Sequence, residues 1–226
     1  SYFTEMSDII NRLEDHVASA RMKTTPVIDF EKNESLKGLD YLDTIYHAIV
    51  NEHPIQLKYR SFKARSANSF IFYPYLLKEY RNRWFVYGVR GNGRILQNLA
   101  LDRIQSLEVL PQEHYIKNTF FDPNTFFDDL VGVTKNSGSV AEKVGFKVAA
   151  AEAPYIITKP IHRSQQVVER LADGSVILEI EVVINHELER VFFGYAEGIQ
   201  VLYPKTLVEL MGRKLKKAAE QYTHSK

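Results

Sequence analysis

Arg83-Trp84-Phe85-Val86-Tyr87-Gly88-Val89-Arg90, then Gly91-Asn92-Gly93-Arg94, then Ile95-Leu96-Gln97-Asn98-Leu99-Ala100-Leu101 is the stretch that decides the fold of the first half of this chain. The first eight residues are rich in aromatic and β-branched side chains, and residues 83–90 read as a strand. Asn92-Gly93 tolerates positive φ at both central positions of a tight turn, so the chain reverses there and returns as a strand over 94–101. Outward from this hairpin the pattern repeats. Ile55, Leu57 and Tyr59 alternate with Gln56, Lys58 and Arg60, as in a half-buried strand. Residues 69–78 form another, with Pro74 at an edge or bend. Residues 103–110 continue as a further strand. Several short strands with tight turns in about 55 residues point to a small β-barrel.

Helical spacing brackets this segment. Met6, Ile9, Ile10, Leu13 and Val17 form one apolar stripe, which predicts a helix over 4–20. Residues 22–38, with Pro26, Asn33 and Gly38, read as a connector. A second helix spans 40–51, capped by Asp40, with Leu42, Ile45, Tyr46 and Ile49 on its apolar face. Residues 111–143 read as a linker with one short helix near 123–130, and Lys135-Asn136-Ser137-Gly138-Ser139 is its most flexible part. The remainder runs strand (144–149), helix (151–158), strand (165–171), strand (175–184), helix (187–195), strand (199–203), helix (206–222). Asp173-Gly174 supplies the turn between the middle strands, and Asn185 caps the helix after them. This βαββαβ order with a trailing helix fits a ferredoxin-like sandwich. No repeat of 20–50 residues is present.

Composition narrows the function. The chain has 226 residues, 45% hydrophobic and 25% charged, with a net charge of +1. That is globular composition of a size suited to two small domains. The charge is unevenly spread. Residues 1–50 carry five basic and nine acidic residues, whereas 51–105 carry ten basic and three acidic. The basic island also holds ten of the 27 aromatic residues, including the single tryptophan, Trp84. Interleaved cations and rings can track a phosphate backbone and stack bases, or they can be an aromatic core with solvated edges. The absence of cysteine excludes a disulfide scaffold and a thiolate metal site, and permits a cytoplasmic location. No apolar run is long enough to span a membrane, and no secretory signal is visible.

Enzyme signatures are missing. There is no Walker loop, no G-x-G-x-x-G and no G-x-S-x-G elbow. His186-Glu187 lacks the second histidine of a zinc-protease helix. Asp122, Asp128 and Asp129 could ligate a hard cation, but two of them are adjacent and diverge on a helix. The seven histidines have no metal-ligand spacing. The expectation is a non-enzymatic protein without a cofactor.

The strand-rich segment resembles the WYL domain of bacterial transcription regulators. The carrying residues are Ile55-Gln56-Leu57-Lys58-Tyr59, Tyr73-Pro74-Tyr75-Leu76-Leu77, Arg83-Trp84-Phe85-Val86-Tyr87 and Leu101-Asp102-Arg103-Ile104. The name-giving tripeptide reads Trp84-Phe85-Val86 here. Residues 144–222 are similar to the WCX extension, through Ile161-His162-Arg163-Ser164-Gln165 and Val201-Leu202-Tyr203-Pro204. The resemblance implies an α+β chain: a helical segment over 1–38, an Sm/SH3-like barrel over 39–122, a linker over 123–143 and a ferredoxin-like domain over 144–226. Family members usually begin with a winged helix-turn-helix. None fits in residues 1–50, and the opening Ser1 agrees with a chain shortened from something longer. The family implies a ligand-sensing and oligomerising module, here a homodimer, whose barrel takes nucleic acid or a nucleotide. Alternatives are direct binding of single-stranded nucleic acid and a purely structural dimerisation scaffold.

Trp84 and Val86 share one strand face, and Phe85 and Tyr87 the other; sequence alone leaves open which face fills the core. Tyr59, Tyr75, Tyr80 and Tyr87 can stack bases or serve as core rings. Lys58, Arg60, Lys78, Arg81, Arg83 and Arg103 are the candidates for an anionic ligand, because guanidinium forks match phosphate oxygens. Arg103 has a second option, an ion pair with Asp102 or Glu52. The family often places basic residues shortly before the LDRI element. This chain has Gln97 and Ala100 there, and Arg94 is positioned to compensate. Lys159, His162, Arg163 and Gln165 form a polar cluster in a loop of the second half, facing a ligand, a partner subunit or only solvent.

Overall fold

The computed structural model describes residues 38–91 and 95–223. The expected helix over 4–20, the Asn92-Gly93 turn and Arg94 lie outside the described residues. Strands β1 (Ile55–Tyr59), β2 (Asn68–Tyr80), β3 (Arg83–Arg90), β4 (Leu96–Ala100) and β5 (Ile104–Val109) form one antiparallel sheet in the order β4-β3-β2-β1-β5. Its two edge strands are consecutive in sequence, joined only by the 3-10 turn Leu101–Arg103. Four backbone steps reach about 14 Å at most, so the sheet must curl until its edges approach. No ladder joins β4 to β5, and this corrects the expected barrel: the sheet is curled but not closed. Three residues of 3-10 turn use the closing stretch to change direction, which leaves no paired register across the seam.

β2 is the long strand of this sheet, and it is bulged part-way along. Pro74 pairs with Gly88 and Leu76 with Tyr87, so Tyr75 has no opposite residue. Proline lacks a ladder donor, which is why the irregularity falls there. Helix α1 (Leu42–Val50) closes one mouth, burying Ile45 and Ala48 against Ile55, Leu57, Phe72, Val86 and Leu101. Its expected cap, Asp40, sits instead in a preceding 3-10 turn (Leu39–Tyr41), and no side chain caps α1.

Strands β6 (Glu142–Val148), β7 (Gln166–Arg170), β8 (Val176–Val182) and β9 (Ile199–Tyr203) form a second antiparallel sheet in the order β7-β8-β6-β9. β8 alternates buried and more exposed positions. Its inner residues Val176, Leu178, Ile180 and Val182 pack with Phe146, Ile156, Leu188, Phe192 and Leu207. These last come from β6 and from helices α2 (Ala153–Thr158), α3 (His186–Gly194) and α4 (Lys205–Thr223). The turn at Asp173-Gly174 forms as expected, with Gly174 at φ +82°. The protein is thus α+β, with two antiparallel sheets and four helices among the described residues.

Between the sheets, residues 110–141 are an ordered connector. The short helix expected at 123–130 is a run of turns, with Phe126 N–H bonded to Asp122 O, Asp128 N–H to Thr125 O and Leu130 N–H to Phe127 O. Phe121, Phe126 and Phe127 all gather round Tyr87, at 5.3–6.2 Å between ring centroids. Adjacent residues of a helix diverge by about 100°, so a helix could not deliver both Phe126 and Phe127 to one ring. Further on, Leu130, Val131 and Val133 are buried, and Val131 belongs to the second core.

Candidate anionic-ligand site

Asp102, in the 3-10 turn after β4, has a carboxylate that faces two guanidinium groups. Arg83 Nε at the start of β3 lies 3.3 Å from Oδ2, and Arg103 Nε lies 3.8 Å from Oδ1. Asp102 is the most buried of the three, its side chain 16% exposed against 26% for Arg103 and 48% for Arg83. One carboxylate therefore aligns two cations and leaves a surplus positive charge at the surface. Arg103 Nε and Asp102 Oδ1 are buried and make no hydrogen bond, so this contact is an ion pair without one. The Arg103 guanidinium also lies over the ring of Phe62, 4.3 Å from its centroid. Phe62 is 75% exposed. An exposed ring and a stacked guanidinium present a platform for a planar group beside forks for phosphate oxygens.

Local structure brings these groups together. Arg60 donates its backbone N–H to Arg103 O at 3.2 Å, so the end of β1 is pinned to the turn that carries Asp102 and Arg103. The β1–β2 loop then runs Ser61-Phe62-Lys63-Ala64-Arg65-Ser66-Ala67, with Arg60, Lys63 and Arg65 all exposed. Tyr59 is buried beneath. Burial pushes its phenol pKa up, while the Arg103 guanidinium and hydrogen bonds at Ala100 and Arg103 pull the other way.

The sequence candidates thus divide. Tyr59, Arg60, Arg83 and Arg103 converge on this end of the sheet. Trp84 is half-buried against the first core. Lys58 is exposed on β1, beside Ser69 and Ser106 on the neighbouring strands. Tyr75 and Tyr87 are buried on the connector side. Tyr75 packs on Tyr115 and Phe120, and burial raises its pKa to about 12. Tyr87 sits inside the phenylalanine cluster and donates to Val133 O. Neither ring joins the arginine cluster. Lys78 lies over Phe127, 4.8 Å from the centroid, and Tyr80 pairs with the Arg81 guanidinium while sensing Glu187 and Arg190 of α3. Lys78 therefore faces the connector, and Tyr80 lies within electrostatic reach of α3. In the second half, His162 is buried with Nδ1 2.7 Å from Ser164 Oγ, and Arg163 grips Asp128 at 2.6 Å. Gln165 is spent on Ile161 N–H and Ile156 O. That polar cluster is a fastening for the connector. Lys159 is exposed beside it.

Sequence reading missed Phe62, Lys63 and Arg65. Its signal was present: two cations and a ring in a loop with no apolar periodicity, a setting in which a large aromatic has no core to join.

Family models match both halves of the chain, the WYL domain over residues 40–109 and the WCX domain over 141–219. The chain carries a WYL domain followed by a WCX domain. The WYL match covers α1 and the curled sheet, and the WCX match covers the second sheet and most of α4. No curated protein matches the sequence. Among solved structures, it is similar to proteasome accessory factor B/C (PafBC) of Arthrobacter aurescens, at 17% identity and TM-score 0.32, over 81% of this chain and 27% of that one. It is also similar to a CRISPR Cas-related protein, at 13% identity and TM-score 0.46, over 80% of this chain and 50% of that one. The chain spans half or less of the length of these neighbours. Among the described residues, no group of acidic, histidine or cysteine side chains could hold a metal, and no helix is long and apolar enough to cross a membrane.

Proposed function

We propose that this chain is the ligand-sensing module of a transcription regulator, and that its WYL sheet takes an anionic ligand, nucleic acid or a nucleotide, on Arg60, Phe62, Arg83 and Arg103. The observation that carries the reading is the single Asp102 carboxylate aligning Arg83 and Arg103 while Arg103 stacks on the exposed Phe62. A sensing role is supported by what else β3 and β4 do. β3 carries Arg83 at one end and Tyr87 four residues on; β4 carries Asn98 and runs into the turn with Arg103. Tyr87 and Asn98 both donate to the connector carbonyl of Val133, Asn98 at 2.8 Å. A ligand that favours one placement of Arg83 relative to Arg103 biases the same two strands that grip the connector. The order of the two sheets also supports reading the first half as an open Sm-like fold and the second as ferredoxin-like. We take the module to be non-catalytic, cytoplasmic and homodimeric, delivering its signal to a DNA-reading domain.

Fluorescence anisotropy of labelled single-stranded and duplex oligonucleotides across a salt series tests the reading. Three phosphate contacts to a single strand give a slope of about −2 in log affinity against log salt. The Arg83→Ala/Arg103→Ala variant should lose about 1.4 of that slope, whereas Lys216→Ala/Lys217→Ala on the exposed end of α4 leaves it unchanged. Absence of binding by oligonucleotides and nucleotides at low salt, or equal losses in both variants, refutes the assignment.

A further inference from the structure

A cavity of about 720 Å³ lies between β4 and the connector stretch Val133–Ser139. Its volume falls in the range of small-molecule sites, roughly 300–1,000 Å³. Its chemistry differs from that of the arginine site. Tyr87, Phe120 and Phe126 contribute aromatic wall. Gln97, Asn98 and Asn136 contribute carboxamides, and Ser137 and Ser139 hydroxyls. Among the described residues, Lys135 is its only charged lining residue, and that ammonium is held 2.8 Å from both oxygens of Asp129. A phosphate would have to compete with Asp129 for the one cation among these described lining residues, which disfavours an anion there. Asn98 spends its amide nitrogen on Val133 O and retains its amide oxygen as an acceptor.

We infer that this cavity binds an uncharged planar heterocycle with amide-like donor and acceptor edges, of which a nucleobase, free or in a nucleoside, is the commonest biological form. Rings supply stacking, and carboxamides and hydroxyls read the polar edge, the combination by which proteins recognise unpaired bases. The site is separate from the arginine cluster and does not depend on it. Its position gives it a regulatory reach, because the ligand touches both sides of one joint. Asn98 belongs to the WYL sheet. Thr134, on the opposite wall, is tied to the WCX half through its Oγ to Glu187 at 2.7 Å and its carbonyl to Asn185 at 3.0 Å. A ligand that bonds to both walls favours the arrangement in which they stand at this separation.

Isothermal titration calorimetry of the full chain with adenosine, guanosine, cytidine and uridine, and with the free bases, tests the inference at low and high salt. At least one of these probes should bind with an affinity that salt leaves unchanged. Gln97→Ala should weaken it about 2- to 10-fold, the loss of one hydrogen bond. Ser139→Trp, which places a ring in the cavity, should abolish it with the circular dichroism spectrum retained. Arg83→Ala/Arg103→Ala should leave it intact, so this site can stand even where the anionic one fails. The inference is overturned if no probe binds the folded chain. It is equally overturned if binding weakens with salt and vanishes in the double-arginine variant, which would assign the base to the arginine site.

Discussion

Asn185 concentrates three hydrogen bonds in one side chain and offers a quantitative test of how the halves are joined. Its Oδ1 accepts from Leu188 N–H at 2.9 Å, capping α3, and its Nδ2 donates to Val131 O at 2.9 Å and Thr134 O at 3.0 Å. The residue is 7% exposed, so water does not replace these bonds freely. Loss of a cap costs about 1 kcal/mol. A carbonyl stripped of its donor costs about 1–3 kcal/mol when buried, and one of the two here is only partly so. Asn185→Ala should therefore lose about 3 kcal/mol. Asn185→Ser keeps a capping oxygen and forfeits only the connector bonds, about 2 kcal/mol. Asn185→Asp keeps the best cap but points a carboxylate at two carbonyl oxygens, and should be no more stable than the alanine variant at neutral pH. Urea denaturation of the four proteins, read by circular dichroism, gives the order wild type, Ser, then Ala with Asp. The reasoning is refuted if Asn185→Asp matches wild type, because the cap alone would then account for the residue. It is refuted too if Asn185→Ala lies within about 1 kcal/mol of wild type, below the sum expected for a cap and two donors.

Phe62→Ala should leave the urea midpoint unchanged, since the ring is 75% exposed, while weakening oligonucleotide binding by about 1–3 kcal/mol, the worth of one stacked base; anisotropy and denaturation together check both halves. Gly132→Ala should destabilise by about 2 kcal/mol or more, because Gly132 sits at φ +90° and an added Cβ would lie 2.4 Å from Glu187 Cγ; denaturant titration reads it. Burial, then the Arg163 charge, holds the His162 pKa below the ordinary imidazole value, against the pull of the Asp128 backbone carbonyl and the Asp128 and Asp129 carboxylates. The unfolded chain therefore binds the proton first as pH falls, so this contribution is intact above about pH 6.5 and is lost below it. Urea midpoints from neutral pH down to about pH 5 should fall less steeply in His162→Gln than in wild type, and equal slopes would refute the assignment.

Much of this fold is legible from local pattern. β3 spans Arg83–Arg90 as read, Asn185 caps α3, and Asp173-Gly174 turns between β7 and β8, because each depends on a few adjacent residues. The connector is not legible in the same way. Asp122 does start a turn, with Asn124 N–H on its Oδ1 at 2.9 Å, but the path of the next residues is shaped by the distant Tyr87 ring. β3 shows the same limit. Its alternation sets two apolar faces, and the chain gives no hint that one meets α1's core while the other meets a segment forty residues downstream. The arginine site was half visible. Asp102 and Arg103 are adjacent in sequence, whereas Arg83 reaches them through strand pairing and Phe62 through loop geometry.

The joint between the halves has a main-chain acceptor at its centre. Val133 O receives the Tyr87 hydroxyl and the Asn98 amide together, occupying both of its lone pairs. Those donors measure distance along the polypeptide, since every residue type brings the same carbonyl. Inserting or deleting one residue between Phe127 and Val133 would offer them the wrong oxygen, as a slipped tooth stops a zip. Extra residues between Gly138 and Val140 would not disturb that count. Variation in length among related chains should therefore be excluded from the first stretch and collect in the second.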